Sequence, residues 1–271
     1  MNLGRTNKYF GGLLIAFFLL SALLGWLWTP YDPLALDLRA RLQAPSAGHW
    51  LGTDEYGRDV LSRLMAAART SVTISALTVS FAVTFGIVLG ALSGYARGWI
   101  DRAVMLLTDT LLAFPSILLA LALLSILGAN IWGVILALGL AYMPTVTRVV
   151  RGAVMSLREQ EFIEASRLMG HPVGYTLRAH VIPNCLAPVI VIATSMFGSV
   201  LLTESALSFL GLGVPPPAPT WGNMLAGARP YMSQASWLGI FPGLCIALTL
   251  LGINLFGDYV RDRFDPRMKG L

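Results

Sequence analysis

The side chains that do chemistry are sparse in this chain and do not gather into a recognisable constellation. Its three histidines, His49, His171 and His180, are scattered, and no HExxH pair sets two of them at metal-binding spacing. There is no GxSxG elbow for a serine nucleophile. There is also no GxxxxGK[ST] loop to cradle a nucleotide. The two cysteines, Cys185 and Cys245, fall in or beside apolar runs and offer neither a disulfide framework nor a metal spacing. Asp54, Glu55 and Asp59 sit close together, but without the alternating oxygen ligands of an EF-hand loop. These patterns argue against an enzyme and against a cofactor or metal held by this chain. They point to a conduit whose energy comes from elsewhere.

Two ionisable residues interrupt long apolar runs, Asp109 and Glu204. A charge at the centre of a bilayer costs roughly 2.5–3.5 kcal/mol on insertion scales, so such residues face water or protein. Each lies some six residues from one end of its run, about 9 Å deep at 1.5 Å per helical residue. Two roles are open for them: lining a translocation pathway, or structural hydrogen bonding between helices.

The elements that would position these groups are membrane spans. The 271 residues are 56% hydrophobic and only 12% charged, about half the charged share of a soluble domain. Mean hydropathy is +0.69. Several runs reach the ~20 residues that cross a bilayer as a helix, and none shows the short alternation of a barrel. The expected architecture is an all-α polytopic membrane protein with six transmembrane helices. Residues 1–69 form a first helix and a polar outer segment, and residues 70–271 a five-helix core. The first run, 10–28, is too long for a signal-peptide core and ends in Trp26 and Trp28, so it reads as an uncleaved span. Residues 59–65 begin a helix that runs into a second span over 70–95. There Ala82, Gly86, Gly90 and Gly94 bare one face for close approach of another helix. The third span covers 103–128 with a kink at Pro115, the fourth 131–150, the fifth 186–210 and the sixth 236–256. Asn223, Met224 and Leu225 belong to a short interfacial helix between the last two.

One long stretch, 156–184, is charged and amphipathic rather than membrane-length. Ser156 and Glu159 have capping-box spacing, which predicts a helix start. Phe162, Ala165 and Met169 recur at helical spacing as one apolar stripe, and Arg158, Glu161, Glu164 and Arg167 surround it. Gly170 is placed to end the helix in a left-handed cap, and Pro172 to open a second short helix. Pro183 and Asn184 are expected to stop that one. With six spans and the N-terminus inside, thirteen of the nineteen Lys and Arg residues fall on the side of this elbow. That bias places the elbow and both termini in the cytoplasm. The pI near 9.5 thus reflects topology, and the dispersed basic residues form no nucleic-acid stripe.

Glu164-Ala165-Ser166, Gly170 six residues after Glu164, and Ile182-Pro183 resemble the EAA loop of binding-protein-dependent ABC importer permeases, with Ser166 where alanine is usual. Leu51 to Leu64 resembles the LGTDxxGRDVLSRL signature of that family's peptide/nickel branch. Leu112 to Pro115, Ser208 to Gly213, Thr220 to Leu225, and Asn254 to Asp258 with Asp265 to Arg267 are similar to it as well. The resemblance implies the second, "C"-type permease subunit of a dipeptide, oligopeptide or nickel (metal-chelate) importer in the bacterial inner membrane. It implies a heterodimer with a homologous permease, embedded in membrane lipid. Two cytosolic ABC ATPase subunits would bind ATP and Mg2+, and a periplasmic or lipid-anchored binding protein would deliver substrate. The loop would be the coupling helix, with Glu164 at the rim of an ATPase groove and Phe162, Ala165 and Met169 as its buried surface. Ser166, Gly170 and Pro183 complete the motif. The rival readings are an ion-coupled secondary transporter, which would need a mid-membrane relay, and a non-transporting scaffold for a cytosolic partner.

Overall fold

The computed structural model describes residues 3–264 and is helical, with one isolated Thr53–Asp59 bridge as its only strand-like pairing among the described residues. Ten α-helices follow one another: α1 (Leu3–Leu27), α2 (Val60–Ala96), α3 (Gly98–Leu112), α4 (Ser116–Leu127), α5 (Ile131–Arg158), α6 (Glu161–Leu168), α7 (Val173–Thr176), α8 (Ile182–Phe209), α9 (Trp221–Ala228) and α10 (Trp237–Phe264). Among the described residues four helices are long and apolar enough to cross a bilayer: α2, α5, α10 and the continuous Val173–Phe209 unit that contains α8. The pair α3 and α4 makes a fifth if counted together, and Gly11–Leu27 of α1 is a shorter apolar helix.

Two of the long helices, α2 and α5, start where their sequence supplies a cap. Asp59 accepts bonds from the Ser62 backbone N–H (2.8 Å) and Oγ (2.7 Å) to open α2. Asn130 accepts from the Gly133 N–H at 2.9 Å to open α5. Side-chain oxygens at these positions satisfy amide groups that have no partner within the helix. The core is built on the bare face of α2, which lies against α5. A Cβ on Gly86 would stand 2.6 Å from Val146 Cβ, and one on Gly90 would stand 2.6 Å from the Thr147 carbonyl oxygen. Only a hydrogen fits at that separation. In lipid, helix association rests on such van der Waals contact rather than on escape from water. Val146, Val150 and Val154 of α5 are wholly buried in this seam. A second cluster joins Phe18 of α1 to Val60 and Leu64 of α2, Leu201 of α8, Trp221 of α9 and Leu238 of α10.

Three expectations need correction. Pro115 does not kink a continuous third span: α3 and α4 meet at a 97° bend. Pro115 is extended (ψ 133), and a proline also pushes the residue before it away from helical geometry. The Ser156 capping box does not form, because nothing breaks α5 before Arg158 and Ser156 lies inside that helix. Pro183 and Asn184 do not stop a helix. Leu177–Val181 forms a π-type turn and the chain runs on through Pro183 into α8. The wider turn relieves the clash a proline ring makes with the carbonyl four residues back. Asn184 Nδ2 donates to the His180 carbonyl at 2.6 Å.

Candidate functional site

The 156–184 segment folds as an elbow whose two faces differ in kind. On α6, Ile163 and Ser166 point inward and are buried, while Phe162, Glu164, Ala165, Leu168 and Met169 are exposed. Leu168 and Met169 are 83% and 74% exposed, far more than a core-facing stripe allows. The spacing of Phe162, Ala165 and Met169 therefore marks an outward apolar face. Leu168 belongs with them, although the sequence stripe left it out. Glu164 has no side-chain partner among the described residues.

The inner face is what bends the chain. Ser166 Oγ lies 3.1 Å from Thr176 Oγ1 and 3.3 Å from His171 Nδ1, pinning α6 to α7. Gly170 adopts φ +77. Its N–H donates to the Arg167 carbonyl at 2.9 Å, and the His171 N–H donates to the Ser166 carbonyl at 3.3 Å. This is the left-handed cap that the glycine predicts, with both bonds of a Schellman motif. Ring contacts then link Phe162 to His180 (6.4 Å between centroids), His180 to Tyr175 (5.8 Å) and Tyr175 to His171 (4.4 Å). Both elbow histidines serve packing here.

Arginines fasten the elbow to the ends of α2 and α5. Arg167 Nε donates to Tyr95 Oη at 3.2 Å, with its guanidinium 5.0 Å from the ring centre. Arg158 Nη1 donates to the Tyr95 carbonyl at 2.6 Å, and Arg97 pairs with Glu159 at 2.6 Å. About two turns earlier on α5, Arg151 grips both Asp101 oxygens at 2.6 and 2.7 Å. α6 is thereby tied to α2, and α5 to both α2 and α3. Pro183 is exposed in the first turn of α8, so the elbow also continues without a break into that span.

The two carboxylates in apolar runs part company. Asp109 on α3 is 61% exposed and accepts from Arg148 Nη2 of α5 at 2.7 Å. Glu204 is 0% exposed. In this conformation no part of it reaches a surface of this chain.

At the opposite end of the helices the 51–64 segment is compact. Asp54 accepts from the backbone N–H groups of Tyr56 (2.8 Å) and Arg58 (3.0 Å) and from Arg58 Nε (2.6 Å). Asp59 also meets His49 Nδ1 at 2.9 Å. Trp237 Nε1 donates to the Thr53 carbonyl and Trp221 Nε1 to the Leu64 carbonyl, each at 3.3 Å. Burial pushes the Glu55 carboxyl above its ordinary range. The carboxylates are engaged within this segment, and the two tryptophans tie it and the start of α2 to α9 and α10.

A polytopic helical membrane protein with a rigidly tethered, outward-facing apolar elbow has the form of a transporter subunit that receives force from a soluble partner. The family described as "Binding-protein-dependent transport system inner membrane component" matches residues 86–270. The dipeptide transport system permease protein DppC of Alkalihalophilus pseudofirmus is 43% identical over 259 residues, covering 96% of this chain and 85% of that protein. The inward-facing MetNI methionine ABC transporter aligns with a TM-score of 0.59 at 19% identity, covering 74% of this chain and 96% of that one. An amino acid ABC transporter with histidines aligns at 0.55 and 14% identity, covering 71% and 90%. The chain belongs to the binding-protein-dependent transport system inner membrane component family and is a transmembrane permease of an ABC importer. It is a transport component of the inner membrane rather than an enzyme, which sets aside the secondary-transporter and scaffold readings.

Proposed function

We propose that this permease carries di- or oligopeptides, and that α6 is the surface through which separate ATPase subunits drive it. The observation that carries this reading is the outward face of α6. Phe162, Leu168 and Met169 stand exposed beside a carboxylate, Glu164, that no group among the described residues engages. An exposed apolar patch rimmed by charge marks a protein–protein contact. The arginine ties to Tyr95 and Glu159 give that contact a mechanical route into the spans. Ser166, Gly170 and Pro183 shape the elbow and leave the docking itself to Phe162, Glu164, Ala165 and Met169. The dipeptide permease named above, at 43% identity, favours peptides over nickel or metal chelates as cargo.

In this reading six spans place both termini and the elbow in the cytoplasm, α1 and the α3–α4 pair each counting as one. A homologous permease completes a heterodimer. Two ATPase subunits bind ATP and Mg2+ below it, and a periplasmic or lipid-anchored protein delivers substrate to the 51–64 and α9 end. Closure of the ATPases pushes α6 and opens the cavity outward, and hydrolysis resets it. Such coupling needs contacts that differ between the two states. The Asp109–Arg148 pair, charged and half exposed at span depth, lines the pathway, since such a pair is costly against lipid.

Glu164→Lys in the assembled transporter tests this. The variant should insert and assemble while peptide uptake is lost and ATP hydrolysis no longer responds to loaded binding protein. Unchanged uptake at equal protein levels would refute the docking role.

A further inference from the structure

The seam between α2 and α8 contains a buried carboxyl with too few partners. Glu204 Oε1 accepts a 2.7 Å bond from Ser208 Oγ, while Oε2 has no hydrogen-bond partner among the described residues. The hydroxyls of Ser71 on α2, Thr220 at the head of α9 and Ser205 on α8 border the same carboxyl, and among the described residues no Arg, Lys or His acts on it. Among the described residues, five buried side-chain oxygens lack a hydrogen bond to any protein group: Ser71, Ser75, Thr78, Glu204 Oε2 and Ser205. All five belong to these two packed helices. Other helical hydroxyls in this chain behave differently. Thr70, Thr110, Thr147, Thr194, Thr203 and Thr249 each donate to the carbonyl four residues back. Ser71, Ser75, Thr78 and Ser205 forgo that bond, so their oxygens are left for something else.

Three occupants could answer. A proton on Oε2 cancels the charge but serves one oxygen. Water serves the hydroxyls but leaves the charge in place, which is the larger penalty. A monovalent cation does both, balancing one carboxylate with one charge and drawing neutral hydroxyl oxygens into a hard-oxygen shell. A divalent ion would bring more charge than a single carboxylate offsets, and sites for such ions collect several carboxylates. The enclosure is tight. A Cβ on Gly222 would stand 2.4 Å from the Ser205 carbonyl oxygen, and one on Gly213 would overlap Ser208 Oγ. The Ser205 and Ser208 wall of the site is thus closely packed, which favours a small bare ion over a hydrated one. We propose that Glu204, Ser71, Ser205, Ser208 and Thr220 form a site for a dehydrated monovalent cation, Na+ in preference to K+, that ties α2, α8 and α9 together. The inference concerns this junction alone and does not depend on the peptide reading or on docking at α6.

The test is equilibrium binding of radiosodium to the intact transporter complex, paired with its thermal unfolding in NaCl, KCl and N-methyl-glucamine chloride at equal ionic strength. Saturable binding stoichiometric with this chain is expected, with a rise in Tm that Na+ produces and K+ does not. Glu204→Gln should abolish both. Ser71→Ala and Ser205→Ala should each raise the half-saturating Na+ concentration by about tenfold, as loss of a supporting partner does at other metal sites. Absence of saturable binding to the wild-type complex overturns the proposal, as does binding that survives Glu204→Gln. Should Glu204→Gln fail to assemble, the serine variants decide, and an unchanged half-saturation in both overturns it. A Tm that follows pH alone, with no response to Na+, makes the occupant a proton and overturns it equally.

Discussion

The seam between α2 and α5 can be broken with a single methyl group, and the structure says at which glycine. A Cβ at Gly90 would stand 2.6 Å from the Thr147 carbonyl oxygen, 2.8 Å from Val150 Cβ and 3.0 Å from the Arg151 backbone nitrogen. Two of those neighbours are main chain and cannot rotate aside, so the helices themselves must separate. Overpacking of this kind costs about 1–3 kcal/mol. Alanine also gains about 0.5–1 kcal/mol over glycine in a helix interior, which would mask part of the loss. Gly152, on α5, has nothing within 4 Å of the equivalent Cβ, so Gly152→Ala receives the helical gain without the clash. The difference between the two variants cancels the propensity contribution and should be about 1–3 kcal/mol, a factor of about 5 to 150 in the unfolding equilibrium. Denaturant unfolding of the detergent-purified chain, followed by tryptophan fluorescence, measures it. Equal stability of Gly90→Ala and Gly152→Ala would mean the helices are not in backbone contact at this level, and the close-approach reasoning would fail with it.

The elbow yields further tests. Gly170→Val forces a β-branched residue into φ +77 and should weaken the turn by about 1–2 kcal/mol, whereas Gly170→Asn should be tolerated; hydrogen exchange across residues 161–176 reports the difference. Tyr95→Phe removes the Arg167 bond but keeps the ring beneath both guanidinium groups, so the elbow should loosen by about 0.5–1.5 kcal/mol. Tyr95→Ala should loosen it more, by the same exchange measurement. At the other end, burial holds the Glu55 carboxyl above its ordinary 4.5. The folded state therefore binds more protons than the unfolded one in the window above 4.5, and stability falls as pH rises through it. Glu55→Gln should flatten that slope in a pH series of unfolding midpoints, and an unaltered slope would assign it to another group.

How much of this was legible in the sequence depended on whether a feature was local. Helix starts at Asp59 and Asn130, the bare face at Gly86 and Gly90 and the cap at Gly170 are set by neighbouring residues, and each appears where its residue type requires. The Ser156–Glu159 spacing misled because a capping box works only if the preceding residues leave the helix, and α5 had no reason to end there. Pro183 misled in the opposite way. A proline stops a helix only when the turn before it is tight, and the π-type turn at Leu177–Val181 was not visible as a pattern. The outward side of α6 could be read as an apolar stripe but not as exposed, because periodicity identifies a face without saying what covers it. That required the buried partner of Ser166, a threonine ten residues away, and Tyr95, 72 residues from Arg167. Glu204 shows the same limit most sharply. Its depth along the chain matched that of Asp109, yet one carboxylate reached an arginine at the surface and the other was sealed among hydroxyls. Only the packing of α2 against α8 separates a candidate pathway residue from a candidate ion site.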